Sequence, residues 1–309
     1  MSILKTSALT KDFGNFTALD GVDIEVGKGE VYGFIGPNGA GKSTTIRVLL
    51  GILKATSGKA KIFGLDAWEE AVEIHKRVAY VPGDVNLWPN LTGGEVIDLF
   101  VKLRGGNGKM RREELIRRFG LDPTKKCRTY SKGNRQKVAL VAALSMEADL
   151  YILDEPTSGL DPLMERVFQE WVAEAKQQGK SILLSSHILS EVEKLCDKVA
   201  IIRQGKIIET GTLRELRHLT GSILTVETKR PMPLLHEVKG VHGIREHQGI
   251  VSFQVDTEKM DEVMRYVSGF GVVRLESSPP TLEELFMRYY EERGATQEQE
   301  AASHEQKLV

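Results

Sequence analysis

Gly36-Pro37-Asn38-Gly39-Ala40-Gly41-Lys42-Ser43 follows directly on Val31-Tyr32-Gly33-Phe34-Ile35 and runs into a helical stretch, residues 43–53. The five-residue apolar run suits a strand buried on both faces. The eight residues after it fit G-x-x-x-x-G-K-[ST]. The spacing has a chemical reason. The glycines let backbone N–H groups turn inward around a phosphate, and the helix that follows adds its positive N-terminus. Lys42 is placed to reach the outer phosphates and the Ser43 hydroxyl to ligate a divalent cation, with Thr44 completing the phosphate-binding set 36–44. An ordinary glycine-rich turn has no reason to join a buried strand to a helix in this way.

Outward from this loop, Leu150-Tyr151-Ile152-Leu153 is a second short apolar run and ends in Asp154-Glu155. Acidic residues at the carboxyl end of a central strand come to lie beside the phosphate loop of a doubly wound sheet. Asp154 is placed to hold Mg²⁺, and Glu155 to polarise the water that attacks a γ-phosphate. Ile182-Leu183-Leu184 is a third run, preceded by a helix over 162–178 that closes at Gly179. Strands alternating with helices predict a mostly parallel α/β sheet covered on both faces. Val22, Ile24 and Val26 alternate with Asp23 and Glu25 as one half-buried strand, and residues 199–202 and 206–209 form a hairpin through Gln204-Gly205.

The pattern changes after about residue 220. Strands are expected at 222–228, 250–255 and 272–276, a short helix at 233–238, a longer one at 257–269, and a last helix from Thr281 with Leu282, Leu285, Phe286 and Tyr289 on one face. That order predicts a small α+β domain of ferredoxin-like kind. The stretch after Glu292 has no periodicity and reads as a disordered tail, 293–309.

Composition narrows the function classes. The chain of 309 residues has 41% apolar and 28% charged residues, enough for a large domain and a smaller one. Lys and Arg number 42 against 43 Asp and Glu, so no electrostatic footprint for nucleic acid is present, and no nucleic-acid partner is expected. The two cysteines, Cys127 and Cys196, have no metal-ligand spacing and read as free thiols. No secretory leader and no apolar run of roughly 20 residues are seen, so a membrane role is expected to come through a partner.

Thr129-Tyr130-Ser131-Lys132-Gly133-Asn134-Arg135-Gln136 precedes a helix that runs through residues 138–144. Taken alone, Ser131 is a helix cap and Gly133 a turn residue. Lying between the phosphate loop and Asp154-Glu155, the stretch resembles the Leu-Ser-Gly-Gly-Gln signature of the ATP-binding-cassette (ABC) family. It keeps Ser131 and Gly133 and has Tyr130, Lys132 and Asn134 elsewhere. Pro156-Thr157-Ser158-Gly159-Leu160-Asp161 resembles that family's loop bridging two nucleotide-binding domains. Ser185-Ser186-His187 resembles its switch-histidine segment, and Thr10-Lys11-Asp12-Phe13-Gly14 the segment whose aromatic residue stacks on adenine. Phe13 as a plain core residue is the competing reading. The resemblance spans about residues 3–218. It departs from the family at Tyr80-Val81-Pro82-Gly83-Asp84, where glycine occupies the usual glutamine position. Two readings stand: Asp84 or a water replaces the missing metal ligand, or the segment couples to a partner without touching the metal.

The resemblance implies a P-loop NTPase cassette over residues 1–218, with antiparallel N-terminal strands and a helical subdomain at about 84–146. An accessory α+β domain, 219–292, follows it. It implies ATP and Mg²⁺ as ligands, Lys42, Glu155 and His187 as catalytic residues, and Ser43 and Asp154 as metal ligands. Phe13, residues 36–44, Ser131 and Gly133 would bind nucleotide. Two cassettes, identical or paired, would close head to tail on ATP. Residues 80–98, with Trp88 and Pro89, would pass that motion to a separate transmembrane permease on the inner face of the cell membrane. Pro280-Thr281-Leu282-Glu283-Glu284-Leu285-Phe286 resembles the accessory domain of antibiotic and multidrug exporter ATPases. The competing function is a soluble ABC ATPase acting as a nucleotide-gated switch on a nucleic-acid or ribosomal partner.

Overall fold

The strand Val31–Ile35 is buried at all five positions and lies inside a six-stranded sheet. The strand order is Lys206–Thr212, Lys198–Arg203, Val31–Ile35, Ser181–Ser186, Leu150–Asp154 and Val78–Val81. From Lys198–Arg203 to Val78–Val81 every pairing is parallel. The carboxyl ends of these strands therefore share one edge, where a doubly wound sheet binds its ligand. Register brings the loops into a row: Ile35 pairs with Ser186, and Asp154 with Ser185.

The computed structural model describes residues 2–105, 109–218, 221–279 and 283. It divides into two compact units, Met1–Gly211 and Thr212–Val309. In the first, a second sheet orders Phe16–Val22, Ser2–Phe13, Ser57–Ile62 and Leu65–Asp66, with Glu25–Gly27 also paired to Ser2–Phe13. These pairings are antiparallel. The single strand expected through Val22, Ile24 and Val26 is broken. The buried Thr6 hydroxyl donates to Val22 O at 2.8 Å and accepts from Ile24 N at 2.9 Å, replacing the ladder at the break.

Helices Gly93–Leu103, Lys109–Arg118 and Lys132–Leu144 are inserted between the strands Val78–Val81 and Leu150–Asp154. Thr92 and Glu95 form a reciprocal capping box at the start of the first. The helix after the phosphate loop is Lys42–Leu49, shorter than the 43–53 expected. It stops because Gly51 turns left-handed and Ile52 and Leu53 both donate back to Arg47 O.

In the second unit an antiparallel sheet orders Val241–His247, Ile250–Val255, Ser222–Thr228 and Val272–Ser278. Helix Met260–Ser268 buries Val263 and Val267 in a core with Leu224, Val226, Phe253 and Val255. This is the ferredoxin-like order, with the first helix reduced to a 3₁₀ turn, Leu235–Glu237. The strand Val241–His247 was not expected. It is an edge strand with six of seven residues exposed, so it carries no alternating apolar signal. The helix from Thr281, the 280–286 motif apart from Glu283, and the 293–309 tail lie outside the described residues.

Candidate active site

Gly41 has φ +113°, and a Cβ there would lie 2.8 Å from Leu19 Cδ2, so only glycine fits between the loop and the strand Phe16–Val22. The turn then feeds the helix Lys42–Leu49, whose first N–H groups have no helical acceptors. Lys42 is 4% exposed. Its ammonium donates to Gly36 O at 2.6 Å and Pro37 O at 3.2 Å. Ser43 is exposed and Thr44 half-buried at the same end. Asn38 and Gly39 form the exposed tip of the loop, and Ala40 is buried at its base.

The edge of the sheet brings the acidic pair to this lysine. Glu155 Oε1 lies 3.5 Å from Lys42 Nζ and 3.3 Å from His187 Nδ1. The backbone of Glu155 is left-handed, φ +47°, a conformation that costs a non-glycine residue about 1 kcal/mol or more. Its amide donates to Ser185 O at 3.1 Å and Ser185 Oγ at 3.2 Å, which holds the turn. Ser185 Oγ also donates to Asp154 Oδ1. The sequence gives Ser185 no role beyond its place before His187; only strand register reveals that it bonds both the Asp154 carboxylate and the Glu155 amide.

Asp154 is buried and keeps Oδ2 toward Gly83, whose Cα would carry a Cβ 3.6 Å from it. Burial, with the Asp154 charge nearby, pushes the Tyr80 phenol up to about 12. Asp84 is exposed and accepts from Asn86 Nδ2 at 3.2 Å. Among the described residues no three His, Cys, Asp or Glu side chains are grouped to hold a metal. Mg²⁺ takes hard oxygen donors from one or two side chains and the rest from phosphates and water. Asp154 and the Ser43 hydroxyl are donors of that kind.

Ser131 is the N-cap of the helix Lys132–Leu144 and accepts from Asn134 N at 3.3 Å. A Cβ on Gly133 would lie 2.3 Å from Gly159 O, so this helix start packs directly on the 156–161 loop. Gln136, 1% exposed, donates from Nε2 to Pro156 O at 3.0 Å and clamps the same loop. No hydrogen bond or ion pair joins Ser131 or Gly133 to residues 36–44 among the described residues. Gly133→Ala is expected to destabilise the chain by about 1–3 kcal/mol through overpacking, read as a lower urea midpoint. An unchanged midpoint would mean that the contact yields freely.

Phe13 is 48% exposed, with the Lys11 ammonium 5.0 Å from its ring centroid, so it is not a core residue. Phe16, its partner across the hairpin, is also exposed and was not singled out in the sequence. Trp88 and Phe100 form an exposed aromatic pair with centroids 6.2 Å apart. No helix among the described residues is long and apolar enough to cross a membrane.

The ABC transporter family model matches residues 19–158, and that of the ATP-binding protein DrrA1-3-like C-terminal domain matches residues 211–290. The bacitracin transport ATP-binding protein BcrA of Bacillus licheniformis is 33% identical over 296 residues, 93% of this chain and 97% of that one. The daunorubicin/doxorubicin resistance ATP-binding protein DrrA of Streptomyces peucetius is 37% identical over 224 residues, 71% of this chain and 68% of that one. Among solved structures, an ATP-binding subunit of an ABC transporter superposes with TM-score 0.65 and 34% identity, covering 70% of this chain and 92% of that one. The phosphate loop, the acidic strand end and these relatives agree: the chain belongs to the ABC transporter ATP-binding proteins and is an ABC ATPase.

Proposed function

We propose that this chain is the ATP-hydrolysing motor subunit of an export system, driving efflux through a separate transmembrane permease. The observation that carries the hydrolytic reading is the convergence of Lys42, Glu155 and His187 around one carboxylate oxygen. In this reading the N–H groups of 39–44 hold the phosphates and Lys42 neutralises their outer oxygens. Glu155 takes a proton from the attacking water as its oxygen bonds to the γ-phosphorus and the bond to ADP breaks. His187 donates to the γ-phosphate and holds Glu155 in place. Ser43 and Asp154 would hold Mg²⁺, which neutralises phosphate charge when bound, and Asp84 is the remaining candidate for its outer sphere. Phe13, exposed at the end of the hairpin whose second strand, Phe16–Val22, packs on Gly41 through Leu19, offers its face to adenine.

In this reading Ser131, exposed at the start of the helix Lys132–Leu144, and Gly133 close over ATP held by a second cassette. That second cassette is a copy of this chain or a paired ABC ATPase. The exposed Trp88–Phe100 pair is the surface we assign to the permease, which would hold the chain at the inner face of the membrane. Export is supported by the C-terminal domain match and by relatives named for bacitracin transport and drug resistance. Chelating divalent cations with EDTA is expected to reduce phosphate release by the purified chain to background. Release that persists in EDTA would contradict the proposed metal-assisted site.

A further inference from the structure

Glu191 lies on the helix Leu189–Leu195, four residues beyond His187, and is 6% exposed. A carboxyl group taken out of water needs partners. Its Oε2 accepts from Ser186 Oγ at 2.9 Å, and the same Ser186 Oγ accepts from Ile188 N at 3.0 Å. Oε1 has no hydrogen-bond partner among the described residues. Burial pushes the Glu191 carboxyl up; the Ser186 and Thr157 hydroxyls and the nearby His187 oppose the rise, while the Glu165 charge adds to it.

The hydroxyl that bonds Glu191 belongs to the His187 turn of the hydrolytic site. Ser186 immediately precedes His187, and its Oγ bridges to Ile188 N on the other side of it. We propose that Glu191 is a positioning residue that holds Ser186, whose Oγ accepts from Ile188 N across the His187 turn, and so fixes the 3.3 Å approach of His187 Nδ1 to Glu155. The inference rests on the reading of Glu155 and His187 as the hydrolytic pair.

Four variants of the full chain test it: Glu191→Gln, Glu191→Leu, Ser186→Ala and the double Glu191→Leu/Ser186→Ala. Steady-state ATP hydrolysis, equilibrium ATP binding and thermal unfolding are measured on each. Glu191→Gln, which keeps an acceptor and a donor, is expected to retain kcat within about twofold. Glu191→Leu and Ser186→Ala are each expected to lower kcat about tenfold through misplacement of His187, with ATP affinity unchanged. The double variant is expected to lose no more than either single one, because both cut one tie. A folded Glu191→Leu chain with wild-type kcat, or losses that multiply in the double variant, would overturn the proposal. Should Glu191→Leu fail to fold, Ser186→Ala decides: wild-type kcat in it overturns the proposal equally. A wild-type chain that binds ATP and never hydrolyses it would instead refute the hydrolytic reading, and the proposal with it.

Discussion

Glu155→Gln is expected to lower steady-state ATP hydrolysis by about a hundredfold to ten-thousandfold, the usual worth of a positioned general base. The amide has the shape of the carboxylate and tolerates the same φ of +47° no worse. It can still face Lys42 and His187, which approach Glu155 Oε1 at 3.5 and 3.3 Å. What it cannot do is take a proton from water. ATP affinity is therefore expected to stay within about threefold of wild type, since the lost interaction belongs to the transition state. Phosphate release measured beside nucleotide titration separates the two effects. A variant that hydrolyses ATP as fast as the wild type would remove Glu155 from its assigned role.

Lys42→Ala is expected to fail at an earlier step. The ammonium is 4% exposed and is held by Gly36 O and Pro37 O at the centre of the loop. Charge-assisted hydrogen bonds from such a buried group to phosphate contribute about 1.5–3 kcal/mol each. Losing them is expected to weaken ATP binding about a hundredfold, equivalent to about 3 kcal/mol. Fluorescent-nucleotide titration reads this directly, and thermal unfolding without nucleotide checks that the fold survives. Wild-type affinity in the variant would mean that residues 36–44 do not hold the phosphates.

The phosphate loop was legible in the sequence because its chemistry is contiguous: strand, glycines, lysine and helix follow one another without a gap. Asp154-Glu155 was legible for the same reason, as an acidic pair ending a fully buried strand. The supporting residues were not. Ser185 reaches Asp154 and Glu155 only through the register of two strands 30 residues apart in sequence. Gln136 reaches Pro156 across 20 residues, and the packing of Gly133 on Gly159 depends on how a helix start meets a loop. No local pattern encodes such contacts. The edge strand Val241–His247 was hidden because solvent exposure removes the alternation that marks a strand. Phe13 shows the converse: its residue type allowed a core or a surface role, and its 48% exposure at the hairpin end decides for the surface.

ATP bound at this site is expected to close two cassettes on each other, and hydrolysis through Glu155 to reopen them. Sedimentation velocity of Glu155→Gln with ATP and Mg²⁺, beside the same protein with ADP and beside Lys42→Ala with ATP, reads this closure. A stable dimer is expected for Glu155→Gln with ATP, and monomers in both controls. A Glu155→Gln chain that binds ATP yet sediments as a monomer at every concentration would contradict it.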